Sequence, residues 1–174
     1  MNLPSPYPFG FEAPIERFGV GKTRKIWYKV VFLPGEVGRQ LPLRQYPRLR
    51  VEGEIADIPV ANAFIPAGDG RHYLIVAPEV LQGALLKPGD TVTVRFRIAD
   101  QDHVEVPPAL ARAIATDAPV RLIWDGLPPG RRRMLAQHVA GAKTAPTGER
   151  RVVEALEAIR HHRGDLRAWR RARG

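Results

Sequence analysis

The stretch TVTVRFRI, from Thr91 to Ile98, alternates polar and apolar residues without interruption. A period of two is typical of a β-strand with one buried face and one solvated face. A helix would instead require a period of about 3.6 residues, so this stretch assigns its region to a sheet. The side chains expected on the buried face are Val92, Val94, Phe96 and Ile98.

Two more segments share this period: residues 25–33 read KIWYKVVFL and residues 48–55 read RLRVEGEI. Weaker runs at 58–65 and 72–77 flank the loop PAGDG, whose glycines suit a hairpin. Short, closely spaced strands indicate a small antiparallel sheet that closes on itself, because closure removes exposed edges. The buried faces predicted for the first two segments comprise Ile26, Tyr28, Val30 and Phe32, and Leu49, Val51 and Ile55, respectively.

Beyond residue 100 the apolar period changes to about 3.6, which predicts helices. They are expected over 108–115, 118–124, 131–142 and 149–162, with Thr147 as the N-cap of the last. The tail, residues 164–174, either adds a turn around Leu166 and Trp169 or is disordered. The apolar stripes of the two longer helices comprise Met134, Leu135, His138, Val139 and Ala142, and Val152, Val153, Leu156 and Ile159.

The predicted fold class is therefore mainly β plus α. A small closed or split antiparallel β-barrel with an irregular N-terminal arm is expected in residues 1–104, followed by a set of short amphipathic helices in residues 105–174. No apolar run reaches the roughly 18 residues of a membrane span. The proline-broken N-terminus does not have the pattern of a signal peptide. The chain also contains no cysteine, which is compatible with a reducing compartment. We expect a cytoplasmic protein without a membrane partner.

The net charge of +9 is unevenly distributed. Residues 121–174 contain 13 Lys and Arg against 5 Asp and Glu, whereas residues 1–120 contain 14 against 13. Such asymmetry indicates an anionic partner, with coding bias toward arginine as the alternative. If the partner is a nucleic acid, the candidate contacts are Arg131, Arg132, Arg133, Lys143, Arg150 and Arg151.

Catalytic chemistry has little support in the sequence. Ser5 is the only serine and cysteine is absent, so the usual nucleophiles of acyl transfer are lacking. The five histidines have no metal-binding spacing. We therefore expect no catalytic residue, no metal and no cofactor. One enzymatic alternative stays open, a site at the barrel mouth formed by Asp69, His72 and Asp90.

Trp27 is the one aromatic residue that alternation places on the polar side of its strand. It lies opposite Tyr28, beside Lys25 and Lys29. An exposed aromatic ring among cations is a feature of surfaces that stack nucleic-acid bases. Trp27 is therefore a candidate binding residue.

The chain resembles a bacterial family known as bacteriocin-protection, YdeI or OmpD-associated, preceded by a domain of unknown function that forms a small β-barrel. The matching segments in the barrel half are Leu33-Pro34, LRVEGEIADIPV, PAGDG, LLKPGDTVTVRF and VEVPPALARAI. In the helical half the match is LPPGRRRMLAQHVAGAK with Thr147, Arg150 and Arg151. The family positions carried onto this chain are Pro128, Pro129, Arg132, Arg133, Ala142, Lys143, Thr147, Arg150 and Arg151. The chain departs from the pattern at His138, where the family has an aromatic residue, and at Gly148, where it has arginine.

The resemblance implies a non-enzymatic binding or stress-protection module whose partner is a protein or a small ligand. It assigns no catalytic residues. Nucleic-acid binding by the helices is the second hypothesis, and an enzyme at the barrel mouth is the third. Arg131, Arg132 and Arg133 begin a helix, where the macrodipole disfavours cations by about 0.3–1 kcal/mol each. We expect Arg132 and Arg133 to offset this by pairing with barrel carboxylates such as Glu52 or Glu54.

Overall fold

The computed structural model describes residues 5–174. Two compact units meet between Gln101 and Asp102, near the expected boundary at residue 104, and we call them the barrel unit and the helical unit. The strands are β1 Phe9–Pro14, β2 Glu16–Val20, β3 Ile26–Phe32, β4 Leu49–Ile55, β5 Ile58–Pro66, β6 His72–Ile75 and β7 Thr91–Ile98. The helices are α1 Gly35–Gly38, α2 Pro78–Gly83, α3 Pro108–Ala115, α4 Ala118–Asp125, α5 Pro129–Ala140, α6 Ala145–His162 and α7 Leu166–Arg173. Within residues 5–174, none of the helices combines the length and apolar content that crossing a bilayer requires.

The strands of the barrel unit form one antiparallel sheet in the order β1-β7-β4-β5-β6-β3-β2. It is curved into a half-barrel, so the split form of the predicted barrel is the observed one, and the mixed β and α fold class is confirmed. β1 and β2 form the two edges of the sheet. β5 pairs with both β4 and β6, which joins the two halves of the sheet.

The alternation in β4 and β7 is largely confirmed. Leu49, Val51 and Ile55 are buried, as are all the β7 residues assigned to the inner face except Ile98. Ile98 is partly exposed because it is the last residue of its strand. The inner face is filled by aromatic rings as well as aliphatic side chains, and the Phe96 ring lies 5.2–6.2 Å from those of Phe9, Phe11 and Phe64.

The prediction for β3 is only partly right. Val30 and Val31 are adjacent and both fully buried, because the end of this strand is covered on both faces. Val31 belongs to the main core, and the opposite face carries a cluster of the Phe18, Phe32 and Tyr73 rings. Ile26, predicted to be buried, is 58% exposed because the beginning of β3 extends away from the core.

The expectation of an irregular N-terminal arm is wrong for most of that segment. Residues 9–14 form β1, which pairs along its whole length with β7, and residues 16–20 form β2. Of the prolines in residues 5–14, Pro6 and Pro8 precede β1 and Pro14 is its last residue. A proline is tolerated on an edge strand, because its missing N–H faces no neighbouring strand. Residues 1–4 of the predicted arm lie outside the described part of the chain.

The helical unit packs around a core to which all five of its helices contribute. Leu110, Leu135 and Ile159 are fully buried there. Two residues assigned to the apolar stripes, Met134 and Val153, are exposed instead. The α6 side chains that fill the contact are the small Ala155 and Ala158 beside Ile159.

Two helix boundaries differ from the predictions. The N-cap of α6 is Thr144, whose hydroxyl accepts a hydrogen bond from the Thr147 amide, because Pro146 lies inside the first turn rather than in a loop. The tail forms α7, and the Asp165 carboxylate caps it by accepting from the amides of Arg167 and Ala168. The hydrogen bond from Ala168 is the main cause that lowers the pKa of Asp165.

Candidate functional site

The three arginines at the start of α5 are half-buried, and each donates to a backbone carbonyl. Arg131 reaches the Arg163 oxygen at the end of α6 (3.1 Å), and Arg132 reaches the Leu127 oxygen just after α4 (2.9 Å). Arg133 donates to the His103 oxygen (3.2 Å). Carbonyls at helix C-termini carry partial negative charge and lack helical partners. Arg131 and Arg132 therefore connect the start of α5 to the ends of other helices.

Glu52 and Glu54, the carboxylates expected to pair with Arg132 and Arg133, each have an arginine partner within the barrel unit, and the expected pairing stays a prediction. Glu52 pairs with Arg97 at 2.9 Å and Glu54 with Arg95 at 2.7 Å, both across the β4–β7 register. The carboxylates are thus engaged by arginines of the neighbouring strand. Within the helical unit, Arg132 donates to the Leu127 carbonyl and Arg133 to the His103 carbonyl.

The remaining basic candidates of the helical unit divide into two groups. Arg151 is half-buried and donates to the His138 carbonyl in the last turn of α5 (2.9 Å). Arg150 is exposed, with its nearest carboxylate, that of Glu154, at 3.5 Å. The Glu154 carboxylate also lies 2.7 Å from the His138 Nε2, from which it accepts a hydrogen bond when that nitrogen carries the proton. Lys143 is exposed. The structure thus brings Arg150 and Arg151 to one α5–α6 contact centred on His138 and Glu154, and this contact is structural in character.

Replacing Arg132 by alanine should lower the free energy of unfolding of the helical unit by about 1 kcal/mol, because the Leu127 carbonyl loses its donor in a half-buried position. Arg132→Lys should show a similar loss, since it keeps the charge but not the planar donor. Urea unfolding followed by circular dichroism measures the effect. Arg121→Ala, at an exposed position, is the control and should be close to neutral. Equal stability of the Arg132 and Arg121 variants would contradict the structural role.

Of the loop candidates, Asp69 and Asp90 have roles in turns, whereas His72 is the first residue of β6. Asp69 pairs with Arg71 at 2.7 Å and also accepts from its amide, and the hydrogen bond from the Arg71 side chain lowers the pKa of Asp69. The Asp90 carboxylate accepts from the Lys87 amide. The backbone oxygen of His72 accepts from the Leu33 amide, which continues the pairing of β3 with β6. Among residues 5–174, no group of three or more potential ligand side chains could hold a metal ion.

Trp27 is 56% exposed, in agreement with the alternation that placed it on the polar side of β3. Gly19 lies directly opposite it on β2, and a Cβ on Gly19 would come within 3.2 Å of the Trp27 ring atoms Cη2 and Cζ3. The indole therefore lies close to the backbone of β2, and a side chain at Gly19 would push the ring outward by a few tenths of an ångström. The Arg17 guanidinium lies 5.4 Å from the ring centroid and the Lys25 ammonium 5.9 Å.

A cleft of about 310 Å³ opens beside this ring. We call it the Trp27 cleft, and its lining residues are Arg17, Trp27, Tyr28 and Lys29. Arg17 and Lys29 are directly opposite each other in the β2–β3 register. Two like charges in this position destabilise a strand pair unless another group neutralises them.

The β2–β3 hairpin, residues 16–32, concentrates exposed cations. Five of them lie between residues 17 and 29, against one acid, Glu16. Within the described chain, none of the five lies within salt-bridge distance of a carboxylate, whereas Arg71, Arg95 and Arg97 of the same unit are all paired. The five cations are Arg17, Lys22, Arg24, Lys25 and Lys29.

The count of charged residues missed this hairpin because the net charge was summed over residues 1–120. The acids that balance the first 120 residues belong largely to other places, such as the Glu52 and Glu54 pairs on the outer face of β4. A window of about fifteen residues would have shown the excess between 16 and 30. The contribution of Gly19 could not be seen, because its segment was expected to be irregular.

Two family models match the chain. Residues 103–162 match the family described as Bacteriocin-protection, YdeI or OmpD-Associated, and residues 11–96 match a Domain of unknown function (DUF1905). The segment 103–162 is thus similar to the YdeI/OmpD-associated family, and the segment before it to the domain of unknown function. The resemblance drawn from the sequence motifs is thereby confirmed, including the N-terminal domain that precedes the helices. No curated protein matches the chain.

The structural features described above can be located relative to the two matched segments. The Trp27 cleft lies within the matched domain of unknown function, and the carbonyl-bound arginines of α5 lie within the segment that carries the family description. The capped helix α7 lies beyond both matches. The family models carry no statement of an activity or a ligand.

Proposed function

We propose that this protein is a non-enzymatic binding module that holds an anionic ligand in the Trp27 cleft. The observation that carries the proposal is the cross-strand pair of Arg17 and Lys29, two cations that lie opposite each other in the cleft. No carboxylate of the described residues lies within salt-bridge distance of either. An anion between them would remove their mutual repulsion and accept charge-assisted hydrogen bonds from both. The cleft volume of about 310 Å³ is at the lower end of the range for small-molecule sites.

The hydrogen bonds of the loop carboxylates are consistent with binding without turnover. The carboxylates of Asp69 and Asp90 already accept hydrogen bonds from Arg71 and from the Lys87 amide. Neither forms a pair with a nearby histidine or hydroxyl of the kind that general acid–base or nucleophilic catalysis uses. The family description names protection from bacteriocins. On this proposal, the protection would come from binding an anionic ligand in the cytoplasm without modifying it.

The helical unit is the weaker candidate for anion binding. Arg131, Arg132 and Arg151 are half-buried and donate to carbonyls inside the unit. A ligand that competed for them would have to disrupt helix contacts. Arg173 lies 5.1 Å from the Trp169 ring centroid, but it is paired with the Glu157 carboxylate, unlike the cations beside Trp27.

Retention on immobilised heparin tests the location of the anion site, because heparin is a polyanion without aromatic rings. Arg17→Ala/Lys29→Ala should elute at lower salt than wild type and bind a soluble heparin fragment about tenfold more weakly. Arg121→Ala/Lys143→Ala is the matched control, since it removes the same charge from exposed positions of the helical unit. If the two double variants elute together, the assignment to the Trp27 cleft is wrong.

A further inference from the structure

We infer that the anionic ligand is a single-stranded nucleic acid, with one base stacked on Trp27 and the adjoining phosphates held by Arg17 and Lys29. The inference rests on the proposed function, because it names the ligand of the same cleft. Three observations support it: the exposed ring, the cations close to it, and the extent of the charge along the hairpin.

The first observation concerns the ring. Trp27 is more than half exposed, although a tryptophan that only stabilised the fold would be expected in the core. Its contacts within the protein are with Gly19, Lys25 and Arg17, so it packs against the hairpin itself and contributes little to the core. A flat ring held against a strand by a glycine is preorganised to stack a second flat ring, and such stacking is independent of base identity.

The second observation concerns the cations around the ring. Arg17 and Lys25 lie 5.4 and 5.9 Å from the ring centroid, and Lys29 lines the same cleft. A base stacked on Trp27 would therefore place its 5′ and 3′ phosphates within the reach of long, mobile cationic side chains. Phosphate contacts of this kind supply most of the affinity for nucleic acids, and base stacking adds to it.

The third observation concerns the extent of the charge. From Lys25 to Lys29 an extended strand covers roughly 13 Å, and Lys22 and Arg24 continue the charge into the loop. A single phosphate group could contact only some of these cations, whereas several consecutive phosphates could contact all of them. A polymer is therefore a better match than a mononucleotide.

A single strand fits better than a duplex. The bases of a duplex are stacked on each other, so their faces are not available to a protruding tryptophan without unstacking. A single strand exposes the faces of its bases to an aromatic side chain. An acidic peptide would satisfy the cations but would make no use of the exposed indole ring.

The test uses the full chain and a fluorescein-labelled oligothymidylate of about 12 nucleotides, within the usual site size of single-strand binders. Binding is measured by fluorescence anisotropy across a series of salt concentrations. Trp27→Leu should weaken binding about 5- to 100-fold, and Trp27→Phe much less, because phenylalanine can still stack. Ile26→Ala is the matched control, since Ile26 is equally exposed but lies on the opposite face of β3, and it should bind as wild type does.

Two further arms separate the inference from the proposed function. Arg17→Ala/Lys29→Ala should reduce the slope of log K against log salt by about 1.4, the value for two phosphate contacts on a single strand. Trp27→Leu should leave binding to the heparin fragment unchanged, and a duplex or a polyglutamate of equal length should bind more weakly than the oligothymidylate.

If heparin binding depends on Arg17 and Lys29 while Trp27→Leu binds the oligothymidylate as wild type does, the inference is overturned and the proposed function stands. The same holds if the duplex or polyglutamate binds as tightly as the single strand. If neither heparin nor the oligothymidylate responds to loss of Arg17 and Lys29, both are wrong.

Discussion

Gly53→Ala is expected to lower the free energy of unfolding of the barrel unit by about 3 kcal/mol or more. Gly53 lies in β4, between Val60 of β5 and Phe96 of β7. A Cβ there would lie 2.0 Å from the Arg95 carbonyl oxygen and 2.7 Å from the Phe96 Cα. Both are backbone atoms of a paired strand, so the clash cannot be relieved by rotating a side chain. β4 would have to move away from β7 and break their ladder.

Urea unfolding followed through the amide resonances of β4 and β7 measures this effect on the barrel unit alone. Gly35→Ala is the matched control, because the nearest atom to its Cβ is the mobile Arg39 guanidinium nitrogen at 3.9 Å. Gly35 lies in the short helix α1, so alanine there should be neutral or stabilising by up to about 1 kcal/mol. A Gly53→Ala variant within about 1 kcal/mol of wild type would contradict the close approach of β4 to β7.

Ile159→Ala should destabilise the helical unit by about 2–5 kcal/mol. Ile159 is fully buried in α6, in the core to which α3, α4, α5 and α7 also contribute. Removing its methyl groups loses apolar burial and leaves a cavity that rigid neighbouring helices fill only in part. Thermal and urea unfolding monitored by the ellipticity of the helices would report the change.

Val153 provides a strict comparison on the same helix. The apolar stripe read from the sequence placed Val153 beside Ile159, yet the structure exposes Val153. Val153→Ala should therefore be within about 0.5 kcal/mol of wild type, while Ile159→Val should cost about 0.5–1.5 kcal/mol. A large loss from Val153→Ala, or a small one from Ile159→Ala, would show that α6 presents the other face to the core.

The sequence predicted the fold best where a single physical rule dominated. In β4 and β7 one face is buried and the other is wet, so alternation identified both strands and most of their inner residues. It failed at β3, where Val30 and Val31 are both covered, because periodicity cannot show a second layer. The edge strand β1 was missed because the prolines around it indicate irregular backbone. Its pairing with β7 joins residues 77 to 87 positions apart, which no local pattern shows.

The candidate site was predicted in part for the same reason. The exposure of Trp27 was predicted from alternation, although the same alternation was wrong for the neighbouring Ile26, which is equally exposed. The Trp27 cleft, however, depends on Gly19 and Arg17 of β2, and no local pattern reports which residues lie opposite in a sheet. The arginines of α5 were recognised as unusual, but the Arg163 carbonyl that accepts from Arg131 is 32 residues away in the chain, and only the tertiary structure brings it near.

The most direct test of the central claim, that anions bind the β2–β3 hairpin rather than the helical unit, uses the three tryptophans as reporters. Trp27 is in the hairpin, whereas Trp124 and Trp169 are in α4 and α7, so the three indole N–H resonances report on separate elements. On titration with the oligothymidylate we predict a progressive shift of the Trp27 resonance, with those of Trp124 and Trp169 unchanged. A titration in which Trp27 stays fixed while the amides around Arg132, Lys143 and Arg150 shift would contradict the claim.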